Sequence, residues 1–407
     1  MMRKLMVLMV IFIGLVSCKK EAPKKVTLQE DIAFLASDSL AGRETGTPQE
    51  IMAAEYLKQR MENLGLLPKG NMGTYFQTFT FKPRTDPHSE AEFTTSDGSI
   101  TGTNVIGYVD NKAETTIVIG AHYDHLGMGG EGSLYAGEAI HNGADDNASG
   151  VAVMLKLAEK LKDSIPENNY LFMAFSGEEM GLLGSNFFCK NPTIDLTTVD
   201  YMINMDMVGR LREDKTLSIS GTGTSPIWNQ VLNANNPGFK LVLSESGVGP
   251  SDHTSFYLQN IPALHFFTGQ HEDYHKPSDD YDKLNYEGME MITNYIFAII
   301  SELKDDAKLT FRTTKNESEE VPRFKVGLGV MPDYLFDGKG MRIDGVTESR
   351  PAAVAGLQKG DVVVQLGDST VIDMMSYMRA LSVFEEGDTA KVVVDRKGKE
   401  VEAKVVF

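Results

Sequence analysis

Between Thr115 and Phe175 the sequence leaves little freedom. The apolar run "TTIVIGA" is followed by "ASGVAVMLKLAEKLKDS", which has helical periodicity, and then by "NYLFMAF", a second apolar run of strand type. Strand, helix and strand at this spacing form a crossover unit, which demands two parallel strands with a helix laid over them. Two more short runs, "DYMINM" and "IPALHFF", extend the series. The expected class is therefore α/β, with a mostly parallel central sheet covered by helices. "PQEIMAAEYLKQRMENLG" has apolar residues at helical spacing and stops at Gly65, and "YEGMEMITNYIFAIISELKDD" supplies a closing helix.

After Asp305 the pattern changes. "AKLTFRTTKNESEEVP" is polar and aperiodic, a linker over residues 306–322. From Arg323 the text consists of short strands, "KVGLGV", "VVVQL" and "AKVVVDRKGKEVEAKVVF", with one helix at about "DMMSYMRALSVF". A chain of 407 residues accommodates two such domains, here 27–305 and 323–407. The net charge of −18 argues against a nucleic-acid partner, whose phosphates need a basic surface.

The N-terminus "MMRKLMVLMVIFIGLVSC" is basic and then apolar from Leu5 to Val16, too short to span a bilayer as a stable helix. It has the form of an export signal. Its end, "LVSC", resembles the lipobox of bacterial lipoproteins, which implies cleavage before Cys18 and lipid attachment to it. Residues 19–26 would then be a tether and the protein would sit in the bacterial cell envelope, held to a membrane by acyl chains. The one other cysteine, Cys189, leaves no intrachain disulfide for the mature protein.

The residues able to bind metal fall at the ends of the apolar runs. His122 and Asp124 follow the first, Glu178 and Glu179 the second, and Asp206 the third; His275 lies soon after "PALHFF". Asp145 and Asp146 sit where the crossover helix begins, and sites in open α/β sheets form beyond the carboxyl ends of strands. Seven of the eight histidines lie between His122 and His275, where carboxylates are also concentrated. Imidazoles with carboxylates suit zinc. Two histidines and at least three carboxylates exceed the needs of one tetrahedral ion, whereas two ions sharing a bridging carboxylate would use them all. Such ions would also make the adjacent pair Glu178–Glu179 tolerable, one glutamate binding metal and the other moving protons.

"AHYDHLG", "HNGADDNASG", "FSGEEMGLLGS", "NMDMVGR", "SDHTSF" and "YHKPSDD" together resemble the co-catalytic di-zinc aminopeptidases of the bacterial leucyl aminopeptidase type, relatives of glutamate carboxypeptidase and glutaminyl cyclase. The resemblance covers about Leu28 to Asp305, including "LASDSLAGRETGTP". It implies two zinc ions bridged by Asp146, one completed by His122 and Asp206 and the other by Glu179 and His275. It makes Glu178 the general base, Asp124 the acid that orients His122, and the peptide bond Asp146–Asn147 cis. It gives His253 a supporting place, and Val248 stands where some relatives carry a tyrosine. His125, His141 and His271 compete as ligands on spacing alone. The implied activity is removal of N-terminal residues from peptides; a glutaminyl-cyclase-like transferase and a non-catalytic peptide-binding protein are the alternatives.

The C-terminal segment resembles a PDZ domain of the bacterial protease-associated type. "VGLGV" matches the carboxylate-binding loop, so Gly327, Leu328, Gly329 and Val330 would receive a peptide C-terminus, with the helix around Met374 to Leu381 as the other wall. Replacing Cys18 with Ser is expected to release the protein from membrane fractions with peptidase activity intact. Retention of the variant in the membrane would assign the anchoring to the apolar segment itself.

Overall fold

The computed structural model describes residues 25–83, 92–130, 132–305, 307–315, 325–333, 335–336, 338–347 and 350–407. Cys18, the expected export signal and linker residues 306 and 316–322 lie outside these residues. The central sheet has ten strands: β1 (Leu67–Pro68), β2 (Phe76–Lys82), β3 (Glu92–Phe93), β4 (Ile100–Val109), β5 (Thr116–His122), β6 (Asn169–Phe175), β7 (Val199–Met205), β8 (Thr216–Ser220), β9 (Lys240–Ser244) and β10 (Ala263–Phe267). Their order is β3-β2-β4-β6-β5-β7-β10-β8-β9, with β1 on β4. The expected parallel arrangement holds for the centre, β6-β5-β7-β10. Outside it, β4 against β6 and β8 against β10 are antiparallel, so the sheet is mixed.

The central strands read as unbroken apolar runs because helices cover both faces. Every residue of β5, β6 and β7 is buried. Alternation decides which face each side chain joins. Ile117, Ile119, Phe172 and Ile203 pack with the helices Gly150–Leu161 and Tyr286–Glu302, whereas Val118, Leu171, Met173 and Met202 pack with Phe188 and Phe256 on the other side. Cys189 lies buried and free in that second layer. From β5 the chain crosses to β6 on one side and then to β7 on the other, which opens a crevice at the carboxyl ends of these strands.

The helix Pro48–Leu64 starts as its sequence dictates. Thr47 caps it by accepting the Glu50 N–H, proline occupies the first turn, and Gly65 ends it at φ 79°. The segment before it carries Arg43, which is fully buried. The guanidinium donates to the carbonyls of Tyr123 (2.7 Å), Asn142 (2.6 Å), Gly143 (3.0 Å) and Leu35. Burial pulls its pKa down to about 10, against the negative charge of Asp124 and Asp146. Arg43 thus ties together the loops on which His122, Asp124 and Asp146 are carried.

The C-terminal body is a sheet of short strands, with Val330–Pro332 at one edge paired to Met341–Val346, then Val362–Leu366, Thr389–Arg396 and Lys399–Val406. The helix Met374–Leu381 is capped by Asp373 and has Tyr377, Ala380 and Leu381 in the core. Gly329 has φ 73°, and a Cβ there would fall 2.1 Å from Cβ of Arg350, so only glycine fits.

Replacing Arg43 with Lys keeps the charge but cannot reproduce a planar fork that reaches four carbonyls. It is expected to cost on the order of 2–3 kcal/mol, as buried acceptors lose their donors, read as a lowered denaturation midpoint.

Candidate metal centre

The crevice gathers the residues singled out at the strand ends. His122 ends β5, Asp206 follows β7, and Glu178 and Glu179 occupy the turn after β6. Asp146 lies in the irregular turn Ala144–Ser149 before the crossover helix, and its peptide bond to Asn147 is cis, as the resemblance implies. The two oxygens of Asp146 face different partners: Oδ1 is 3.4 Å from His122 Nε2, and Oδ2 is 3.1 Å from His275 Nε2. Asp206 Oδ1 is 3.3 Å from His122 Nε2, and Glu179 Oε2 is 3.4 Å from His275 Nε2. The adjacent glutamates diverge. Glu178 groups with His122 and Asp206, and Glu179 with His125 and Asp146, the donor atoms of each group lying within 4.8 Å of one another.

The backbone fixes these side chains. His122 Nδ1 is 3.2 Å from the carbonyl of Asp124, and His275 Nδ1 is 2.8 Å from that of Gly132. Each ring donates through Nδ1 and so turns Nε2 towards the crevice. Asp279 Oδ2 accepts the N–H groups of Asp145 and Asp146, at 3.0 and 3.1 Å. Asp145 in turn accepts from Gly209 N–H at 2.6 Å.

Three expectations change. Asp124 does not hold His122 through its carboxylate, which stands 3.7 Å away, beyond hydrogen-bond reach. That carboxylate instead accepts the N–H groups of Glu178 (3.2 Å) and Glu179 (3.4 Å), and so carries the turn. His125, a competitor on spacing alone, does enter the cluster, with Nδ1 2.7 Å from Glu179 Oε1 and 3.9 Å from Asp146 Oδ2. His253 does not: it stacks on His265 at 4.7 Å, and both its ring nitrogens are buried without a hydrogen-bond partner. His141 is occupied with Ser133 and the Ala139 carbonyl, and His271 with Asp145.

Sequence reasoning missed Asp252. It precedes His253 in the same motif, and both of its oxygens are buried without a hydrogen-bond partner. Burial pushes its pKa up to about 7. Burial also raises Glu178 well above the carboxylate range, with Asp206, Glu179 and Asp252 adding to the effect and His122 opposing it. For His275 burial works against the charge, yet Glu179 and Asp146 outweigh it and set its pKa at about 9. His122 is likewise held well above its ordinary value, burial being outweighed by Glu178 and Asp206. In the bare polypeptide, then, protonated imidazoles are the cations that balance the carboxylates. A metal ion supplies the same charge without the protons, and the donor set of imidazole Nε2 and carboxylate oxygens fits zinc.

An α/β sheet with such a donor set at its strand ends defines a candidate metal-binding domain. Residues 104–300 match the model of Peptidase family M28 and residues 308–406 match that of the PDZ domain. The alkaline phosphatase isozyme conversion protein of Escherichia coli is 31% identical over 218 residues, 48% of this chain and 61% of its own length. Aminopeptidase YwaD of Bacillus subtilis is 28% identical over 216 residues, 50% of this chain and 45% of its own. The chain therefore spans less than two thirds of the length of these relatives. Among solved structures, BSAP, a zinc aminopeptidase from Bacillus subtilis, superposes with a TM-score of 0.53 at 18% identity, over 72% of this chain and 99% of its own. A Porphyromonas gingivalis glutaminyl cyclase does so with 0.52 at 18% identity, over 68% and 97%. At such identities these two establish a shared fold.

Because His275 keeps its proton up to about pH 9 without metal, zinc must displace it. Calorimetric titration of chelator-stripped protein at pH 7 is expected to show proton release, as a heat that depends on the ionisation enthalpy of the buffer. A buffer-independent heat would show that the histidines are already neutral.

Proposed function

We propose that this chain is an exported zinc exopeptidase that removes N-terminal residues from peptides and holds two zinc ions. The observation that carries the two-ion reading is Asp146, whose oxygens face separate histidines, His122 and His275. Asp206 would complete the first site with His122, and Glu179 the second with His275. His125 would steady Glu179 by donating to its other oxygen. Zinc bound there supplies Lewis acidity, polarising the scissile carbonyl and lowering the pKa of a water towards about 7.

The chain's own residues do the rest. Glu178 takes the water's proton and returns it to the leaving amine. Without metal, burial and the neighbouring carboxylates raise its pKa, which favours its taking the water's proton. Asp124 holds the backbone under Glu178, and Asp252 contributes the charge that keeps it basic. A glutaminyl-cyclase-like reaction on the same fold would need only one zinc; the presence of both His122 and Asp206 beside Asp146 favours two.

In the PDZ domain the edge strand beginning at Val330 and the helix bearing Met374 and Met378 would form a peptide groove, closed by the loop Gly327–Val330. Arg350, packed against Gly329, would bring positive charge to a peptide carboxylate. Lipid attachment at Cys18 would keep the enzyme at a membrane of the cell envelope.

Glu178→Gln is expected to lower kcat by about 100- to 10,000-fold, the usual loss for a general base, with zinc content unchanged. Glu179→Gln is expected to lose zinc as well as activity. A Glu178→Gln enzyme with near-normal turnover would refute the assignment.

A further inference from the structure

The segment "AGRETGTPQE", residues 41–50, precedes every residue of the proposed mechanism in sequence, yet two of its side chains lead into the site. Glu50, in the first turn of the helix Pro48–Leu64, is fully buried. Its Oε2 accepts Gly46 N–H at 2.9 Å, and its Oε1 accepts Thr103 N–H at 2.9 Å. Oε1 also lies 2.6 Å from Ser176 Oγ. Ser176 Oγ is 3.0 Å from Thr45 Oγ1, which is 3.1 Å from Asp124 Oδ2. Asp124 accepts the backbone N–H groups of Glu178 and Glu179. Four buried side chains thus form one line, from a carboxyl outside the crevice to the turn that bears the paired glutamates.

Counting protons gives the line a direction. Each hydroxyl has a single proton to donate. Asp124 ends the line as an acceptor, so the Thr45 proton goes there. The contact between Ser176 and Thr45 then uses the Ser176 proton. Three oxygen contacts share two hydroxyl protons, so the third comes from a carboxyl at one end of the line. Glu50, which burial makes a weaker acid than usual, is the end that supplies it to the 2.6 Å contact with Ser176. An ionised Glu50 would leave one link with two oxygens facing each other and no hydrogen between them. The Tyr123 hydroxyl, 3.0 Å from Glu50 Oε1, does not make up the shortfall, since its proton lies on the Thr103 carbonyl at 2.6 Å. The groups facing Glu50 are two backbone amides and two hydroxyls, and burial raises its pKa.

We propose that Glu50 is a positioning residue of the catalytic turn: as the neutral acid it donates to Ser176, and the line through Thr45 fixes Asp124 and thereby the backbone of Glu178 and Glu179. This rests on the reading of Glu178 as the proton carrier. A glutamine cannot replace Glu50 without loss, because each Glu50 oxygen accepts a backbone N–H and an amide NH₂ would confront one of them.

The test uses the zinc-loaded full-length protein. Thr45→Val removes the hydroxyl and keeps the shape, while Thr45→Ser keeps the hydroxyl. The valine variant is expected to lose about 10- to 100-fold in kcat, the scale of a displaced catalytic group, with KM and zinc content unchanged, and the serine variant to retain wild-type turnover. In infrared difference spectra at neutral pH, the C=O stretch of a neutral carboxylic acid is expected in the wild type. It should disappear in Glu50→Gln and move to higher frequency in Ser176→Ala, where the acceptor of the Glu50 proton is gone. A missing acid band would overturn the neutral state of Glu50. A fully active valine variant, or equal losses in Val and Ser, would overturn the positioning role. Activity surviving in Glu178→Gln would sink the assignment of the base, while the infrared result would still decide the state of Glu50.

Discussion

The structure depends on a buried concentration of like charge. Asp146, Asp206, Glu178 and Glu179 converge in one crevice, with Asp124 and Asp252 directly behind them. Removing carboxylates from water is costly unless they are paired, and each repels the next. The imidazoles of His122, His125 and His275 supply compensation, and the raised basicity of His122 and His275 shows how strongly the site demands positive charge. Much of the surrounding architecture serves to hold these groups despite their repulsion. Arg43 binds the loops together by their carbonyls, and Asp279 holds the backbone amides of Asp145 and Asp146.

The adjacent glutamates illustrate how the strain is divided. They share a support, since both backbone amides donate to Asp124, but their side chains turn to opposite halves of the cluster. Glu179 meets two histidines, His125 and His275. Glu178 meets Asp206 and the buried Asp252, and burial with these charges raises its basicity. Sequence neighbours thus acquire different chemistry from their surroundings, one suited to holding a cation and the other to carrying a proton.

The parts legible in the sequence are those with a local pattern. The crossover unit and the central strands follow from apolar runs of seven or so residues around a helical period, and the ligand-bearing positions follow from their places at the strand ends. Local pattern does not report the antiparallel flanks, because β4 reads no differently beside β6 than it would beside a parallel neighbour. Nor does it separate His125 from His141, two histidines of the same loop-rich stretch, of which only the first meets Glu179. Asp252 was eclipsed by the histidine beside it. The line from Glu50 to Asp124 was invisible for a plainer reason: its links join residues 126, 131 and 79 positions apart through hydroxyls that any surface loop could carry.

The central claim is that two cations, bridged by Asp146, neutralise this cluster. Crystals of the zinc-loaded protein measured at the zinc absorption edge test it most directly. The account predicts two anomalous peaks flanking the Asp146 carboxylate, each about 2.0–2.2 Å from its protein donors, one beside His122 and Asp206 and the other beside Glu179 and His275. A single peak at full occupancy, or two peaks that do not share Asp146, would contradict it.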